Sequence, residues 1–411
     1  MPTTHKSDLD SAYSWTRLAI SMIVATVGSV GMWAIILVLP KVQAEFGVDR
    51  AGASFTYTST MVGFAFGNLL IGRLVDRIGI VPVLIAAALS LALGFAGSAL
   101  THSFAVFSLL HGFFIGTGSA ACFGPLIADV SHWFNKRRGI AVASAACGNY
   151  FAGAIWPLIL KGPLETVGWR PVFFGIAIAC VVIMIPLSLF LKRRPVEHTL
   201  AGGANAVALK PSNLSPQTLQ VLLIIAGLGC CLAMSMPQVH IVSYCADLGY
   251  GPVVGAEMLS LMLAGGVVSR LASGFLADKI GGIKTLLLGS SLQCLALFLY
   301  IPFDGLTSLY AVSLVFGLSQ GGIVPCYAII VREYLPAKEA GKRVGMVIMA
   351  TVWGMAIGGW MTGWIFDMTG SYQAAFINGI VWNLMNIGAM ILVLTRTENS
   401  RPGGMFRRGF A

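Results

Sequence analysis

The sequence predicts an all-α membrane protein in which twelve transmembrane helices form two similar halves. Of its 411 residues, 57% are hydrophobic and only 10% are charged, whereas soluble domains carry roughly 25% charged residues. Apolar stretches of about 20 residues recur along the whole chain, and each is long enough to cross a bilayer as a helix. Two short motifs repeat at one spacing, which indicates the two halves.

Twelve apolar stretches can be counted, six before a long polar segment and six after it. We predict transmembrane helices near residues 17–40, 53–71, 82–100, 104–130, 139–160, 172–191, 217–240, 253–275, 282–302, 306–332, 341–364 and 373–395. The polar segment is rich in proline and glycine and is typical of a cytoplasmic linker. The predicted domains are therefore a six-helix half at 1–191, a linker at 192–216, and a six-helix half with a cytoplasmic tail at 217–411.

The positions of the basic residues predict the topology. Twenty-one of the 26 lysines and arginines fall on the side of the N-terminus and four (Lys41, Arg50, Lys161 and Arg170) on the other side, and Arg270 alone lies away from the ends of a predicted helix. Cytoplasmic loops are the basic ones in membrane proteins, so both termini are predicted to be cytoplasmic. The net charge of +10 is thus a topology signal, and no nucleic-acid partner is expected. Compact loops favour the cell inner membrane of a bacterium.

Two motif pairs indicate internal duplication. Gly72–Gly79 and Gly274–Gly281 follow predicted helices two and eight, and both read G-x-L-x-D-[RK]-I-G. Gly168–Phe174 and Gly370–Phe376 pair on the other side, and both pairs have an offset of 202 residues. Two matches at one spacing indicate a repeated six-helix unit and, with it, alternating access to a site at the midplane.

The first of these motifs resembles the signature loop of the major facilitator superfamily. The resemblance implies the major facilitator fold and assigns Asp76, Arg77, Asp278 and Lys279 to a cytoplasmic gate. We expect the glycines to allow a tight turn and the two carboxylates to lie near a helix N-terminus, where negative charge is favourable. The alternative is an ordinary turn whose charges only set the topology.

A second segment narrows the resemblance. His132–Ala141 combines an aromatic pair with a basic cluster, and a stretch rich in small residues follows at Gly148–Gly153. This order is similar to that of the monocarboxylate transporter and oxalate/formate antiporter branch. Positive-inside placement and close helix packing also explain these residues, so the prediction of a substrate depends on groups inside the membrane.

Arg270 is the group that predicts an anionic substrate. It lies in predicted helix eight, and a buried arginine costs roughly 2.5–3.5 kcal/mol on insertion scales unless it has an anionic partner. Glu257 is 13 residues earlier, roughly 20 Å away along a helix. We therefore predict that Arg270 binds a substrate carboxylate through bidentate, charge-assisted hydrogen bonds. The alternative is that Arg270 reaches the cytoplasmic end of its helix or bonds to helix carbonyls of the other half.

The resemblance supports this role, because both branches carry an arginine at this place. Monocarboxylate transporters of animal type also have an aspartate one turn earlier, where Gly266 stands here, and a lysine in helix one, whereas residues 18–40 contain none. The oxalate antiporter adds a lysine in helix eleven, where Ala350, Thr351 and Trp353 stand here. A single buried cation suits a monoanion better than a dianion.

Four further residues are predicted to line the cavity: Asn149, Tyr327, His240 and Trp353. The helices that bear them usually line the cavity in this family, and an apolar wall with few polar contacts suits a short aliphatic or aromatic acid. His240 is the candidate proton carrier, because histidine titrates near neutral pH. The alternative is a histidine that is hydrogen-bonded at the membrane interface.

The predicted function is secondary transport of small organic acid anions, with proton-coupled symport of a monocarboxylate preferred. The alternatives are a carboxylate/carboxylate antiporter of the oxalate-formate type, an exporter of other small molecules, and a membrane receptor. An enzyme is not expected, since neither H-E-x-x-H nor a serine elbow occurs. The eight cysteines lack metal-ligand spacing, so neither a metal nor a cofactor is expected. The expected partners are the anion, protons and the lipid bilayer, with the chain a monomer.

Overall fold

The computed structural model describes residues 9–193, 211–336 and 339–398. Most of the predicted linker, at 194–210, and the tail at 399–411 lie outside the described residues. So do seven of the basic residues used to predict the topology: Lys6, Arg194, Lys210, Lys338, Arg401, Arg407 and Arg408.

Twelve helices in the described residues are long and apolar enough to cross a membrane, and each corresponds to one predicted helix. They are α1 (Ala12–Phe46), α2 (Arg50–Ile78), α3 (Ile80–Leu100), α4 (Phe104–Ser131), α5 (Arg138–Thr166), α6 (Trp169–Leu189), α7 (Pro216–Asp247), α8 (Pro252–Ile280), α9 (Gly282–Leu299), α10 (Leu306–Tyr334), α11 (Ala340–Thr369) and α12 (Tyr372–Glu398). The chain is therefore a multi-pass membrane protein, and the predicted all-α class with twelve transmembrane helices is confirmed.

Successive helices run in opposite directions, so the start of α1 and the end of α12 lie on one face of the molecule. We call this the terminal face, and we call the other side, where α1 ends and α2 begins, the opposite face. The turns between α5 and α6, between α7 and α8, and between α11 and α12 are also on the opposite face.

The repeated motif Gly72–Gly79 is mostly helical, which corrects the prediction that it forms a loop. α2 continues to Ile78, and a single residue, Gly79 with φ +88°, separates it from α3. Gly281, with φ +87°, does the same between α8 and α9. Asp76 and Asp278 consequently lie in the last turn of a helix and not near a helix N-terminus as predicted. The tight turn needs only the final glycine of each motif, because only there is φ positive.

The second motif pair also forms equivalent turns in the two halves. Gly168 has φ +83° between α5 and α6, and Gly370 has φ +66° between α11 and α12. Both values lie in the region that favours glycine. The two halves thus share turn geometry on both faces.

Close packing between the halves depends on glycines of α11. A Cβ atom at Gly363 would lie 2.7 Å from the carbonyl oxygen of Arg50 in α2, and one at Gly359 would lie 2.8 Å from the Tyr57 ring. These residues are four apart and share one helix face, so α11 lies directly against α2 near the opposite face.

The N-terminal segment is fixed to the loop between α4 and α5. The Asp10 carboxylate accepts backbone N–H groups of Asn135, Lys136 and Arg137 at 3.2, 3.0 and 3.2 Å. Partial burial opposes the charge of this carboxylate, but the three donors outweigh it and hold the pKa of Asp10 below its usual value. The basic cluster of the sequence is therefore bonded through its backbone to the start of α1.

Candidate functional site

Arg270 lies in α8 and connects the two halves. Its side chain is buried, and its Nε donates to the carbonyl oxygen of Gly321 in α10 at 3.1 Å, while Nη1 donates to that of Ala146 in α5 at 2.6 Å. Both acceptors lie at helix interruptions, at Gly321–Gly322 and at Cys147. The Gly321 carbonyl lacks its usual helical donor, because the residue four positions later is Pro325, which has no N–H. Helix breaks thus supply the acceptors that hold the guanidinium group.

Tyr150 completes the surroundings of Arg270. Its ring centroid lies 4.2 Å from the guanidinium carbon, a distance at which the ring face attracts a cation. The ring packs directly on Gly266, where any Cβ atom would overlap it. Tyr150 was not among the predicted cavity residues. The signal in the sequence was Gly266, because a residue without a side chain one turn before a buried arginine leaves room for a group from another helix.

No acid partner of Arg270 is found among the described residues, and this distinguishes it from two other buried arginines. Arg17, counted as a cytoplasmic residue in the sequence analysis, is 1% exposed and pairs with Asp129 at 2.8 Å. Arg50 is also buried and pairs with Asp247 at 2.9 Å. The sequence suggested that Arg270 is the only buried cation, and this is wrong. Of these three arginines, however, Arg270 alone is held by uncharged groups.

Glu257, the acid considered as a partner of Arg270, is engaged elsewhere. Its carboxylate pairs with Lys161 of α5 and accepts a hydrogen bond from Tyr310 of α10. Within the described residues Arg270 Nη2 has no hydrogen-bond partner, so its two N–H groups are available to an anion. The site can bind a carboxylate without first breaking an internal ion pair.

Asn149 lies beside this site. Its Oδ1 accepts a hydrogen bond from Trp33 Nε1 of α1 at 3.1 Å, and its backbone oxygen accepts from the same nitrogen at 3.0 Å. Asn149 is only partly buried and immediately precedes Tyr150 in α5. Asn149 thus lies in the same stretch of α5 as Ala146 and Tyr150, which contact Arg270, while its own side chain is bonded to α1.

His240 lies in a closed layer between the halves at the opposite face. Its Nε2 is 2.8 Å from the Gly359 carbonyl oxygen and 3.3 Å from Ser54 Oγ of α2, and Nδ1 is 3.3 Å from the Tyr372 hydroxyl. The side chain is 1% exposed. His240 is therefore closed off between the halves and makes no contact with Arg270 among the described residues.

Neither Tyr327 nor Trp353 makes a contact with Arg270 among the described residues. The Tyr327 side chain is fully buried, and its hydroxyl donates to Asn386 Oδ1 of α12 at 3.0 Å, inside the carboxy-terminal half. Trp353 is on the exposed stripe of α11 that continues through Ile357, Trp360 and Trp364 to the opposite face. Because this stripe remains exposed where the halves are closed, it points to the surrounding bilayer and not to the space between the halves.

The predicted gating residues Asp76, Arg77, Asp278 and Lys279 are all exposed at the terminal face. None of their side chains has a hydrogen bond or ion pair to another described residue. Contacts between the halves are found instead at Arg270 and at the opposite face. The two halves are therefore joined at one face and apart at these motifs.

The joined face is held by a group that we call the opposite-face lock: Arg50, Asp247, Asp367 and Tyr372. Arg50 of α2 donates to Asp247 of α7 at 2.9 and 3.2 Å and to the hydroxyl of Tyr372 of α12. The Asp367 carboxylate of α11 accepts the backbone N–H groups of Arg50 and Ala51 at 3.0 and 2.7 Å. Sequence analysis missed the lock, since acids at helix ends read as ordinary surface residues.

A twelve-helix bundle with two joined halves and a buried arginine between them defines a membrane transporter. The family model of the Major Facilitator Superfamily matches residues 21–309 and 256–410. The chain belongs to this superfamily, so it is a transporter and not an enzyme, and the resemblance seen in the sequence is confirmed.

Particular relatives agree with the narrower resemblance. Monocarboxylate transporter 13 of Rattus norvegicus is 27% identical over 363 residues, which cover 85% of this chain and 81% of the relative. Monocarboxylate transporter 11 of Mus musculus is 24% identical over 384 residues, 90% of this chain and 84% of the relative. The MFS-type transporter pynF of Aspergillus niger is 23% identical over 332 residues, 80% of this chain and 75% of the relative.

Solved structures agree on the fold. A bacterial homologue of the human lysosomal transporter Spinster superposes with a TM-score of 0.74 at 13% identity, covering 96% of this chain and 99% of that one. The nucleoside transporter NupG superposes with a TM-score of 0.72 at 13% identity, covering 92% and 99%. At such identities the likeness shows the fold alone.

Proposed function

We propose that this transporter carries small monocarboxylate anions and that Arg270 binds their carboxylate group. The observation that carries the proposal is a buried guanidinium held by two carbonyls and an aromatic ring, with no acid partner among the described residues. A cation buried without a counterion favours an anionic ligand. The similarity to proteins named monocarboxylate transporters supports the same substrate class.

The mechanism that we propose is alternating access. The basic residues favour a cytoplasmic terminal face, with both termini inside and the chain in the cell inner membrane. On that assignment the lock closes the outer side, and the site is reached from the cytoplasm. A carboxylate at Arg270 replaces the bond to Ala146, which is the hydrogen bond of Arg270 to the amino-terminal half. Asp76, Arg77, Asp278 and Lys279 then meet partners when the terminal face closes.

Proton symport is the coupling that we propose, with His240 as the carrier, because opening the lock removes its contact with Ser54, the one of its three hydrogen-bond contacts that lies in the amino-terminal half. Carboxylate exchange is the second candidate. It is favoured by the surroundings of Arg270, where no carboxyl group among the described residues is placed to give a proton to the substrate. The proposal takes the working unit to be a monomer.

The test is uptake of labelled lactate, pyruvate and longer acids into proteoliposomes, with and without an inward proton gradient. We expect gradient-stimulated uptake that falls by about tenfold or more in Arg270→Lys, because lysine cannot make the bidentate contact and one charged hydrogen bond is worth about 1.5–3 kcal/mol. Uptake that needs an internal carboxylate and ignores the gradient selects exchange.

Lys284→Gln is the matched control. Lys284 pairs with Glu398 at 2.9 Å on the exposed surface, so its loss removes a positive charge far from the site and uptake should be unchanged. Wild-type rates in Arg270→Lys would remove Arg270 from substrate binding. Absence of uptake for every acid tested would remove the substrate class.

A further inference from the structure

A buried pair of glutamines joins α7 and α10. Gln238 Nε2 donates to Gln320 Oε1 at 2.6 Å, and the two side chains are 2% and 0% exposed. The second polar atom of each amide, Gln238 Oε1 and Gln320 Nε2, has no hydrogen-bond partner in the described part of the chain. One hydrogen bond between two such amides always leaves one oxygen and one NH₂ over, whichever way each amide is turned. The pair therefore leaves one acceptor and one donor unsatisfied.

The position of the pair connects it to the carboxylate site. Gln320 immediately precedes Gly321, whose carbonyl oxygen holds Arg270 Nε. Gln238 lies two residues before His240, which belongs to the closed layer at the opposite face. The two amides thus lie in the carboxy-terminal half, at a depth in the membrane between that of His240 and that of Arg270.

The chemistry of the unsatisfied atoms selects a ligand group. Buried polar atoms without partners are unfavourable, and the penalty is greater inside a membrane protein, where water is scarce. A hydroxyl group satisfies both atoms at once, because its oxygen accepts from the NH₂ and its hydrogen donates to the amide oxygen. An oxo group satisfies only the donor, and a methyl or methylene group satisfies neither.

We propose that Gln238 and Gln320 form a subsite for a hydroxyl group on the carboxylate that Arg270 binds. The transporter then prefers hydroxy acids to unsubstituted acids of the same chain length. This specificity rests on the proposed function of Arg270, since the carboxylate fixes the orientation in which the hydroxyl group meets the pair.

The experiment compares uptake of propanoate, 2-hydroxypropanoate and 3-hydroxypropanoate in proteoliposomes. For the wild type we expect the KM of one hydroxypropanoate to be about tenfold lower than that of propanoate, the factor that one or two net hydrogen bonds supply. In the double variant Gln238→Leu/Gln320→Leu the ratio should fall to about one, with propanoate uptake retained. Replacing both amides together leaves neither unpaired, which protects the fold.

Gln293→Leu is the control variant. Gln293 is an equally buried glutamine of α9 that donates to the Cys230 carbonyl at 3.1 Å, and its Oε1 also lacks a partner in the described residues. Its loss should leave the preference for the hydroxy acid intact. An equal loss in Gln293→Leu, a preference that survives in the double variant, or no preference in the wild type would each overturn the subsite.

The two proposals fail in different ways. If propanoate uptake depends on Arg270 while neither hydroxy acid gains over it, the subsite is wrong and the carboxylate site stands. If uptake of all three acids is absent or indifferent to Arg270→Lys, the proposed function itself is wrong. The wild-type comparison needs no variant, so poor folding of the double variant does not protect the subsite from refutation.

Discussion

Gly266 and Tyr150 share a small space next to Arg270, and the fit between them decides what the arginine contacts. The Tyr150 ring lies where a Gly266 side chain would be. An acidic side chain at position 266, as in monocarboxylate transporters of animal type, would therefore overlap the Tyr150 ring. A ring and two carbonyls hold the guanidinium in place without neutralising it, whereas an acid would neutralise it.

Gly266→Ala tests this fit. The added methyl group overlaps the ring, so we expect a loss of about 1–3 kcal/mol of stability from overpacking and a raised KM for the carboxylate as Tyr150 leaves Arg270. The measurements are thermal unfolding in detergent and uptake kinetics. Adding Tyr150→Ala should cost less stability on the Gly266→Ala background than in the wild type, because the overlap is relieved, and it should not restore the KM. Gly72→Ala is the control, because a Cβ at Gly72 would meet no atom within 4 Å, and a Gly266→Ala protein indistinguishable from it would refute the tight fit.

Some residues of the site were predictable from the sequence and others were not. Arg270 was found because a cation far from any acid along its helix stands out in an apolar segment. Tyr150 was not, since its role depends on which helix faces α8. Trp353 and Tyr327 were expected at the cavity because the resemblance implies that their helices line it, yet the orientation of each side chain around its helix axis is set by packing against α2, α7 and α12.

At the scale of the helices, lengths were the main error of the sequence analysis. Charges at Arg73, Asp76 and Arg77 end the apolar run of α2, so the helix was expected to stop at residue 71. It continues to Ile78. The helix has 29 residues and is about 43 Å long, so its charged last turns lie beyond the hydrocarbon core of about 30 Å. Hydropathy marks where the bilayer ends, and the helix itself ends only where Gly79 breaks the backbone conformation.

The glycines of one motif should therefore respond differently to substitution. Gly281→Ala forces a side chain into a backbone with φ +87° and should cost about 1–2 kcal/mol. Gly274→Ala lies within α8, with open space around its Cβ, and should be neutral or stabilise by up to about 1 kcal/mol. Thermal unfolding of the two purified variants compares them directly. Equal destabilisation would mean that Gly274 has a packing role that this conformation does not display.

At the scale of the whole molecule, the halves are held together on one face by charged groups. The Arg50–Asp247 and Lys161–Glu257 pairs both cross from one half to the other. The Glu45–Arg170 pair lies on the same face but within the amino-terminal half. Such partly exposed pairs are each worth about 1 kcal/mol or less, so they bias the conformational equilibrium without fixing it.

Removing the two ion pairs that cross between the halves, Arg50–Asp247 of the lock and Lys161–Glu257, should open the opposite face. Spin labels are attached to cysteines introduced at the exposed positions Val167 and Phe303, after replacement of Cys294, the native cysteine that is not fully buried. In the double variant Arg50→Gln/Lys161→Gln we expect a longer mean distance between the two labels than in the wild type. A change of about fivefold in the ratio of the two states corresponds to 1 kcal/mol. Arg170→Gln should leave the distance distribution as in the wild type. The same shift in Arg170→Gln, or none in the double variant, would contradict the lock.

The contact of Asp367 with α2 has a different character from these pairs. Its partners are main-chain N–H groups at the positive end of the α2 macrodipole, where a carboxylate is stabilised. Every residue type except proline supplies such a group, so substitutions in the amino-terminal half can erase the Arg50 side-chain bonds but leave this one in place. In evolution, a single substitution in the carboxy-terminal half, at Asp367, removes this connection between the duplicated halves. Substitutions in the amino-terminal half, proline excepted, leave it in place.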